Sequence, residues 1–328
     1  MYLMNYFLLS FTVFCLSISF DMADRAVSWH DITVDVGWGK LHGKTCVVGN
    51  SYYKNDIKVM GVHGWLDNAN TFDTLVPLLP LGVEVLVFDL PGNGLSDHLP
   101  LGARYDVFTY VFSLHTVVRK LEWKKFVFMG HSMGSAISCY FIALFPEYVG
   151  AFISLDLIKP VIRTSRFESC RNDALKLFKA EDEKRQPIVY SESEAIDRLT
   201  AARYMGGANS IQDSAHILLP RSGRKVEGGY VWNHDPRAYP YFKGLFFGAS
   251  IFLEAISLIT CPVLIVRASK GMCNLPDSFY KEELDAYQSN AQWLDIATVE
   301  GTHHVHLSHP ERVAPLVSGF LQKLAILK

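Results

Sequence analysis

The five residues Gly130-His131-Ser132-Met133-Gly134 constrain this chain more than any other stretch. A G-x-S-x-G run between a strand and a helix is a nucleophile elbow, a sharp turn that exposes a serine hydroxyl. Both flanks suit it. Lys125-Phe126-Val127-Phe128-Met129 is a short apolar run of the kind that forms a buried strand. Ser135 to Phe145 is rich in apolar and small residues, as a helix packed on a sheet must be. In so tight a turn, bulk at Gly130 or Gly134 would crowd the neighbouring backbone. The pattern alone is short enough to arise by chance; its setting gives it weight.

The rest of the chain supplies that setting. Short apolar runs alternate with helical patterns, which predicts an α/β fold with a mostly parallel central sheet flanked by helices. Ile32 to Val36 and Leu41 to Val48 read as an opening pair of strands, and Ile57 to Val62 as a third that runs into His63-Gly64-Trp65. A helix is expected near Phe72 to Leu79, then a strand from Val83 to Phe88 ending at Asp89, then a helix from Tyr105 to Leu121. Ala151 to Leu155 reads as the strand after the elbow helix. The alternation breaks near Lys159. The following stretch is more charged and mostly helical in pattern, with a glycine-rich patch at Gly228-Gly229. Strands resume at Pro262 to Val266 and Leu294 to Val299, and a helix from Glu311 to Leu324 closes the chain. The expected organisation is therefore an apolar N-terminal segment over 1–24, a core in two parts over 25–158 and 259–328, and a helical cap over 159–258 inserted between them.

Composition narrows the function classes. Hydrophobic residues make up 49% of the 328 and charged residues 20%, enough for a sizeable core and unlike a disordered chain. A net charge of -2 gives no electrostatic footprint for nucleic acid. No two of the six cysteines stand at C-x-x-C spacing, so zinc and redox motifs of that type are not expected, and Cys46 and Cys139 read as buried free thiols. Tyr2 to Phe20 carries no charge, and roughly 19 helical residues would reach about 28 Å, one bilayer core. Polar residues dilute it, no Lys or Arg precedes it, and Met22-Ala23-Asp24-Arg25 resembles an ordinary start. Signal peptide, anchor and extension stay open. The location would be cytoplasmic if Met22 is the working start and secretory if residues 1–20 act as a signal, with membrane contact only if 2–20 are retained.

Three further motifs carry a resemblance. His63-Gly64-Trp65-Leu66-Asp67-Asn68 follows the third strand, Asp89-Leu90-Pro91-Gly92-Asn93-Gly94-Leu95-Ser96 follows the fourth, and Gly301-Thr302-His303-His304-Val305-His306 follows the last. With the elbow, these resemble the α/β-hydrolase superfamily in its capped branch. The H-G-W-L-D-N stretch and the G-x-H-x-x-H ending are most similar to the serine hydrolase-like, or kraken-like, group. The resemblance implies the α/β-hydrolase fold and a Ser-His-acid triad in the chain order Ser…Asp…His. A serine hydroxyl needs a base within hydrogen-bond reach, the base needs an orienting acid, and the oxyanion needs fixed donors. Ser132 is the expected nucleophile, and the backbone N–H groups of Met133 and Trp65 are the expected oxyanion donors. His303 is chosen over His304 as base by resemblance, because related proteins carry another histidine three residues on and His306 fits that place. His304 and His309 then read as loop or surface residues. A metal held by His303, His304, His306 and His309 is set aside for want of acidic or cysteine partners nearby in the chain.

The acid is less determined. Many capped hydrolases place it after the strand at Val263, where this chain reads Arg267-Ala268-Ser269-Lys270-Gly271-Met272-Cys273-Asn274 without a carboxylate. Asp156, at the end of the strand after the elbow helix, matches the other known placement and is the expected acid. Asp277 is the alternative, and an absent acid is the third reading. Asp89 is expected to shape a tight loop and His63 to brace the oxyanion turn. Trp232, His234 and Asp235 are expected to fasten the cap or face the pocket. The function implied is cofactor-free hydrolysis of a carboxylic ester or related small acyl substrate through an acyl-enzyme. A serine at the elbow separates it from the aspartate-dependent haloalkane dehalogenases and epoxide hydrolases. A nearly silent small-molecule-binding protein on the same fold is the competing class. Oligomeric state and substrate are left open.

Overall fold

The computed structural model describes residues 27–49, 56–159, 167–182, 187–202, 204–205, 208–209, 211, 213–238 and 249–326. The apolar stretch at Tyr2 to Phe20 and the start-like Met22 lie outside them. Among the described residues no helix is long and apolar enough to cross a membrane.

Eight strands form one sheet: β1 (His30–Asp35), β2 (Lys40–Val47), β3 (Lys58–Val62), β4 (Glu84–Phe88), β5 (Phe126–His131), β6 (Val149–Leu155), β11 (Val263–Lys270) and β12 (Leu294–Thr302), in the order β1-β2-β4-β3-β5-β6-β11-β12. The first two pairings are antiparallel, and every pairing from β4 to β12 is parallel. β5 is buried along its whole length. Its alternate side chains divide between two cores: Phe126 and Phe128 pack on one face with Phe141 and Phe152, whereas Val127 and Met129 join Val59, Ile153 and Phe320 on the other. That two-sided burial is why the central strands are runs of apolar residues without polar alternation.

The helices α1 (Val107–Lys120), α2 (Met133–Leu144), α7 (Lys281–Asn290), α8 (Val305–Ser308) and α9 (Pro310–Ile326) complete the core elements. Asp106 caps α1 by accepting the Thr109 N–H at 2.8 Å. The expected helix at Phe72 to Leu79 is instead two short 3-10 turns, Ala69–Phe72 and Val76–Leu78. Pro77 lacks a donor there, and the Asn68 side chain accepts the Asn70 N–H, so local bonds replace the helical ladder.

The insert between β6 and β11 contains α3 (Phe167–Asp182), α4 (Glu192–Ala202), α5 (Ala215–Ser222) and α6 (Ala249–Ser257). It also holds the short pairs β7 (Tyr204–Met205) with β8 (Ala208–Asn209) and β9 (Gly223–Val226) with β10 (Gly229–Trp232). Glu227-Gly228 is the turn of the second hairpin, and Gly228 there and Gly229 at the start of β10 both have positive φ. α6 falls inside the 159–258 span expected as cap. Its Phe252, Ala255 and Ile256 nevertheless join the same core cluster as Phe141 and Tyr287.

Phe128 is fully buried and meets Phe126 and Phe141 edge-on at 4.8 and 4.9 Å. Phe128→Ala is expected to lower the unfolding free energy by about 3–5 kcal/mol. Leu101→Ala, at a position 78% exposed, should shift it by less than about 0.5 kcal/mol. Urea denaturation of the two variants checks the contrast.

Candidate active site

The parallel strands deliver the expected site residues to one edge of the sheet. His63 follows β3, Asp89 follows β4, Ser132 follows β5, Asp156 follows β6 and His303 follows β12. This carboxyl edge, where strand order reverses around β3, is the usual ligand crevice of open α/β sheets.

Ser132 sits at φ 52° and ψ -120°, a conformation that side chains rarely adopt. The turn is possible because Gly130 and Gly134 have no Cβ. One added at Gly130 would stand 2.6 Å from the Ser135 backbone, and one at Gly134 would collide with the Val62 carbonyl. The serine is 9% exposed, and its N–H donates to the Leu155 carbonyl at 3.1 Å. Met133 opens α2, where first-turn N–H groups have no partner within the helix. On the other side, a Cβ on Gly64 would come within 3.3 Å of Ser132 Cβ, so the Gly64-Trp65 turn lies against the nucleophile position.

Asp156 and His303 are brought together. His303 Nδ1 donates to Asp156 Oδ2 at 2.6 Å, and both residues are buried. The same carboxylate accepts the Ala268 N–H at 3.0 Å and the Met272 N–H at 2.7 Å. The end of β11 and the loop after it, where no acid stands from Arg267 to Asn274, each supply one donor to Asp156. Gly271 makes the approach possible, since a Cβ there would lie 2.6 Å from Asp156 Cγ. Asp277 is elsewhere: it is exposed and bonded to Arg267 at 2.6 Å, and that guanidinium holds its carboxyl below the usual range.

Ser132 and His303 are not hydrogen-bonded to each other among the described residues. The Ser132 hydroxyl instead points to Met272 Sδ at 3.9 Å. Met272 therefore touches both Ser132, through its thioether, and Asp156, through its backbone. Nothing in the residue pattern singled it out. In unliganded sites such bonds are often long or misaligned and tighten on binding.

His63 braces the Gly64-Trp65 turn. Its Nε2 accepts the Leu90 N–H at 2.9 Å, so Nδ1 carries the hydrogen and donates to the Gly64 carbonyl at 2.8 Å. Burial lowers its pKa, which keeps the ring neutral. Behind the elbow, His131 lies 4.2–4.6 Å, ring to ring, from His303, His304 and His306. Burial first, then neighbouring imidazoles, depress His131 and His306 well below the ordinary histidine range. His306 Nε2 meets Thr71 Oγ1 at 3.0 Å. His304, expected as a loop or surface residue, lies in the turn before α8, where it is 4% exposed and 3.5 Å from Asp67 Oδ2. His309 is exposed, as expected.

The insert is fastened to these strand-end loops. Asp89 accepts the Ala69 and Leu95 N–H groups, each at 2.8 Å, and a Cβ on Gly94 would collide with it, so it shapes the loop as expected. Arg221 Nε of α5 donates to the same carboxylate at 2.9 Å, and its Nη2 stands 2.8 Å from it as an ion pair. Asn68 donates to the Leu218 carbonyl and to Ser222, and Asn70 to the Ile217 carbonyl. Asp235 holds Tyr105 at 2.7 Å, and its N–H donates to the Gly92 carbonyl at 2.8 Å, so it is a fastener of insert to core.

Comparisons with known proteins give the family of this fold. The model of the alpha/beta hydrolase fold family matches residues 59–310. A serine hydrolase-like protein of Danio rerio is 35% identical over 308 residues, covering 91% of this chain and 89% of its own. A probable serine hydrolase of Drosophila melanogaster is 33% identical over 303 residues, covering 90% and 88%. The crystal structure of a hypothetical protein from Pseudomonas aeruginosa PAO1 superposes with a TM-score of 0.72 at 25% identity, covering 90% of this chain and 99% of that one.

Arg221 and Asp89 are buried opposite charges, with side chains 8% and 0% exposed. Arg221→Met is expected to cost about 3 kcal/mol or more, because it strands a buried carboxylate. Adding Asp89→Asn should recover part of the loss in a double-mutant denaturation cycle.

Proposed function

From the premise that the chain belongs to the α/β-hydrolase fold family, as one of its serine hydrolase-like members, we propose that it cleaves a carboxylic ester or related acyl compound through an acyl-enzyme. The observation that carries this is the 2.6 Å bond from His303 to a buried Asp156, set at the same strand edge as the strained Ser132. With Nδ1 donating to Asp156, the neutral ring leaves Nε2 to take the serine proton. Asp156 fixes that tautomer and offsets the charge of the imidazolium that forms. Ser132 Oγ attacks the acyl carbon, and the oxyanion is received by the N–H groups of Met133 and Trp65, each such donor contributing about 2.7–4 kcal/mol to the transition state. His303 returns the proton to the leaving oxygen, and water repeats the sequence to release the acid. For attack, the hydroxyl leaves Met272 and turns to His303. Substrate displacing the thioether from Ser132 supplies that turn. No cofactor enters these steps.

The contact of Ser132 with Met272 supports a second reading, a small-molecule-binding protein whose serine is not activated. A fluorophosphonate probe separates the two. An activated nucleophile is labelled in the wild type and unlabelled in Ser132→Ala, whereas a folded wild type that resists the probe favours the binder.

Asp156→Asn should leave the protein folded and lower kcat on a p-nitrophenyl ester by roughly 10,000-fold. Gly271→Ala, which pushes on the same carboxylate, should lower it less. Steady-state kinetics with circular dichroism as the folding control checks both, and an Asp156→Asn variant with wild-type kcat removes the triad assignment.

A further inference from the structure

We propose that Asp67, His131 and His304 form a binding site for one divalent transition-metal ion, zinc by preference, behind the nucleophile elbow. The three side chains come from three separate stretches of chain: the loop after β3, the end of β5 and the turn before α8. Asp67 follows the oxyanion turn, His131 precedes Ser132, and His304 follows His303. They are 2%, 1% and 4% exposed, so bulk water does not solvate the groups they turn toward one another.

The hydrogen-bonding pattern defines the character of the space between them. His131 Nε2 lies 3.0 Å from the His303 carbonyl oxygen. A carbonyl only accepts, so Nε2 carries the hydrogen and the neutral ring leaves Nδ1 as a bare electron pair. That Nδ1 is buried without a hydrogen-bond partner and faces Asp67 Oδ2 at 3.9 Å. His304 Nε2 approaches the same oxygen at 3.5 Å. An imidazole electron pair buried without a donor calls for a donor or a cation to fill its place, and the neighbouring carboxylate favours the cation.

Size distinguishes an ion from a water molecule. Zinc bonds nitrogen at about 2.0–2.1 Å and oxygen at about 2.0–2.2 Å in a tetrahedral shell, so two ligand atoms on one ion stand about 3.3–3.5 Å apart. The 3.5 Å separation matches that spacing, the 3.9 Å one closes to it by a few tenths of an ångström, and all three ligand atoms lie within 4.8 Å of one another, so the third pair draws in on binding. A water bonded at about 2.8 Å on each side holds its partners about 4.4 Å apart, wider than the gap between Nδ1 and Oδ2. Two imidazoles and one carboxylate form a donor set suited to zinc and its transition-metal neighbours. The His131 Nε2–H donating to a backbone carbonyl is also the outer bond that ligating histidines make, fixing tautomer and ring orientation. His303 is not a ligand: its Nδ1 belongs to Asp156. An ion here would link the oxyanion turn, the elbow and the histidine loop.

The test is zinc titration of the chelator-treated full chain against a competing indicator. One equivalent per folded chain is expected. Asp67→Asn and His304→Gln should weaken binding at least 100-fold, while His309→Gln, an exposed histidine on the same loop, should bind as the wild type does. X-ray absorption of the zinc-loaded wild type should show a nitrogen and oxygen shell with scattering from two imidazoles, and this decides the matter even if a variant fails to fold. A folded wild type that takes up no zinc, variants that bind unchanged, or a shell without imidazole overturns the site.

Discussion

A buried carboxylate must be surrounded by donors, and the active edge of this molecule is arranged around one that is. Asp156 accepts from the backbone of Ala268 and Met272 and from the ring of His303, so one side chain joins the ends of β6, β11 and β12. Its own backbone is held at φ 53°, with its N–H on the Val266 carbonyl at 2.7 Å. Few groups can take that place. A smaller residue would leave two buried N–H groups and an imidazole N–H unpaired, each at the desolvation cost of an orphan donor. The orientation of His303 is thus a consequence of the hydrogen-bond demand of a strand end and loop with no acid from Arg267 to Asn274.

The same logic governs the insert. Asp89, Asn68, Asn70 and Asp235 lie at a strand end, in and beside the 3-10 turn after β3 or within the insert, and they bond backbone groups and Arg221, Ser222, Tyr105, Lys44 and Arg237. These directional bonds, with Leu218 and Leu219 in one apolar cluster with Leu307, hold α5 over the strand-end loops. α6 behaves differently. It buries Phe252 and Ile256 in the main core and serves as part of the scaffold.

Much of the fold was legible because its signals are local. The two-faced burial of β5 shows as a continuous apolar run, and the elbow shows as glycines where α2 must lie on β3 and β5. The turns at Ala69–Phe72 and Val76–Leu78 were misread as a helix because their apolar spacing is helical while Pro77 and Asn68 decide the backbone. His304 lies in a turn, and its burial did not show in the sequence because a loop position carries no periodic signal of burial. Met272 was missed because a thioether beside a nucleophile has no sequence signature.

By itself the sequence determined the class of fold and pointed to the serine at its turn, since both depend on residue type and place next to a strand. Only the tertiary structure decided which carboxylate meets His303, where the serine hydroxyl points, and that Asp67 stands against His131 and His304. Those contacts join residues far apart in the chain. They are set by strand order and loop path, which the linear pattern does not encode residue by residue.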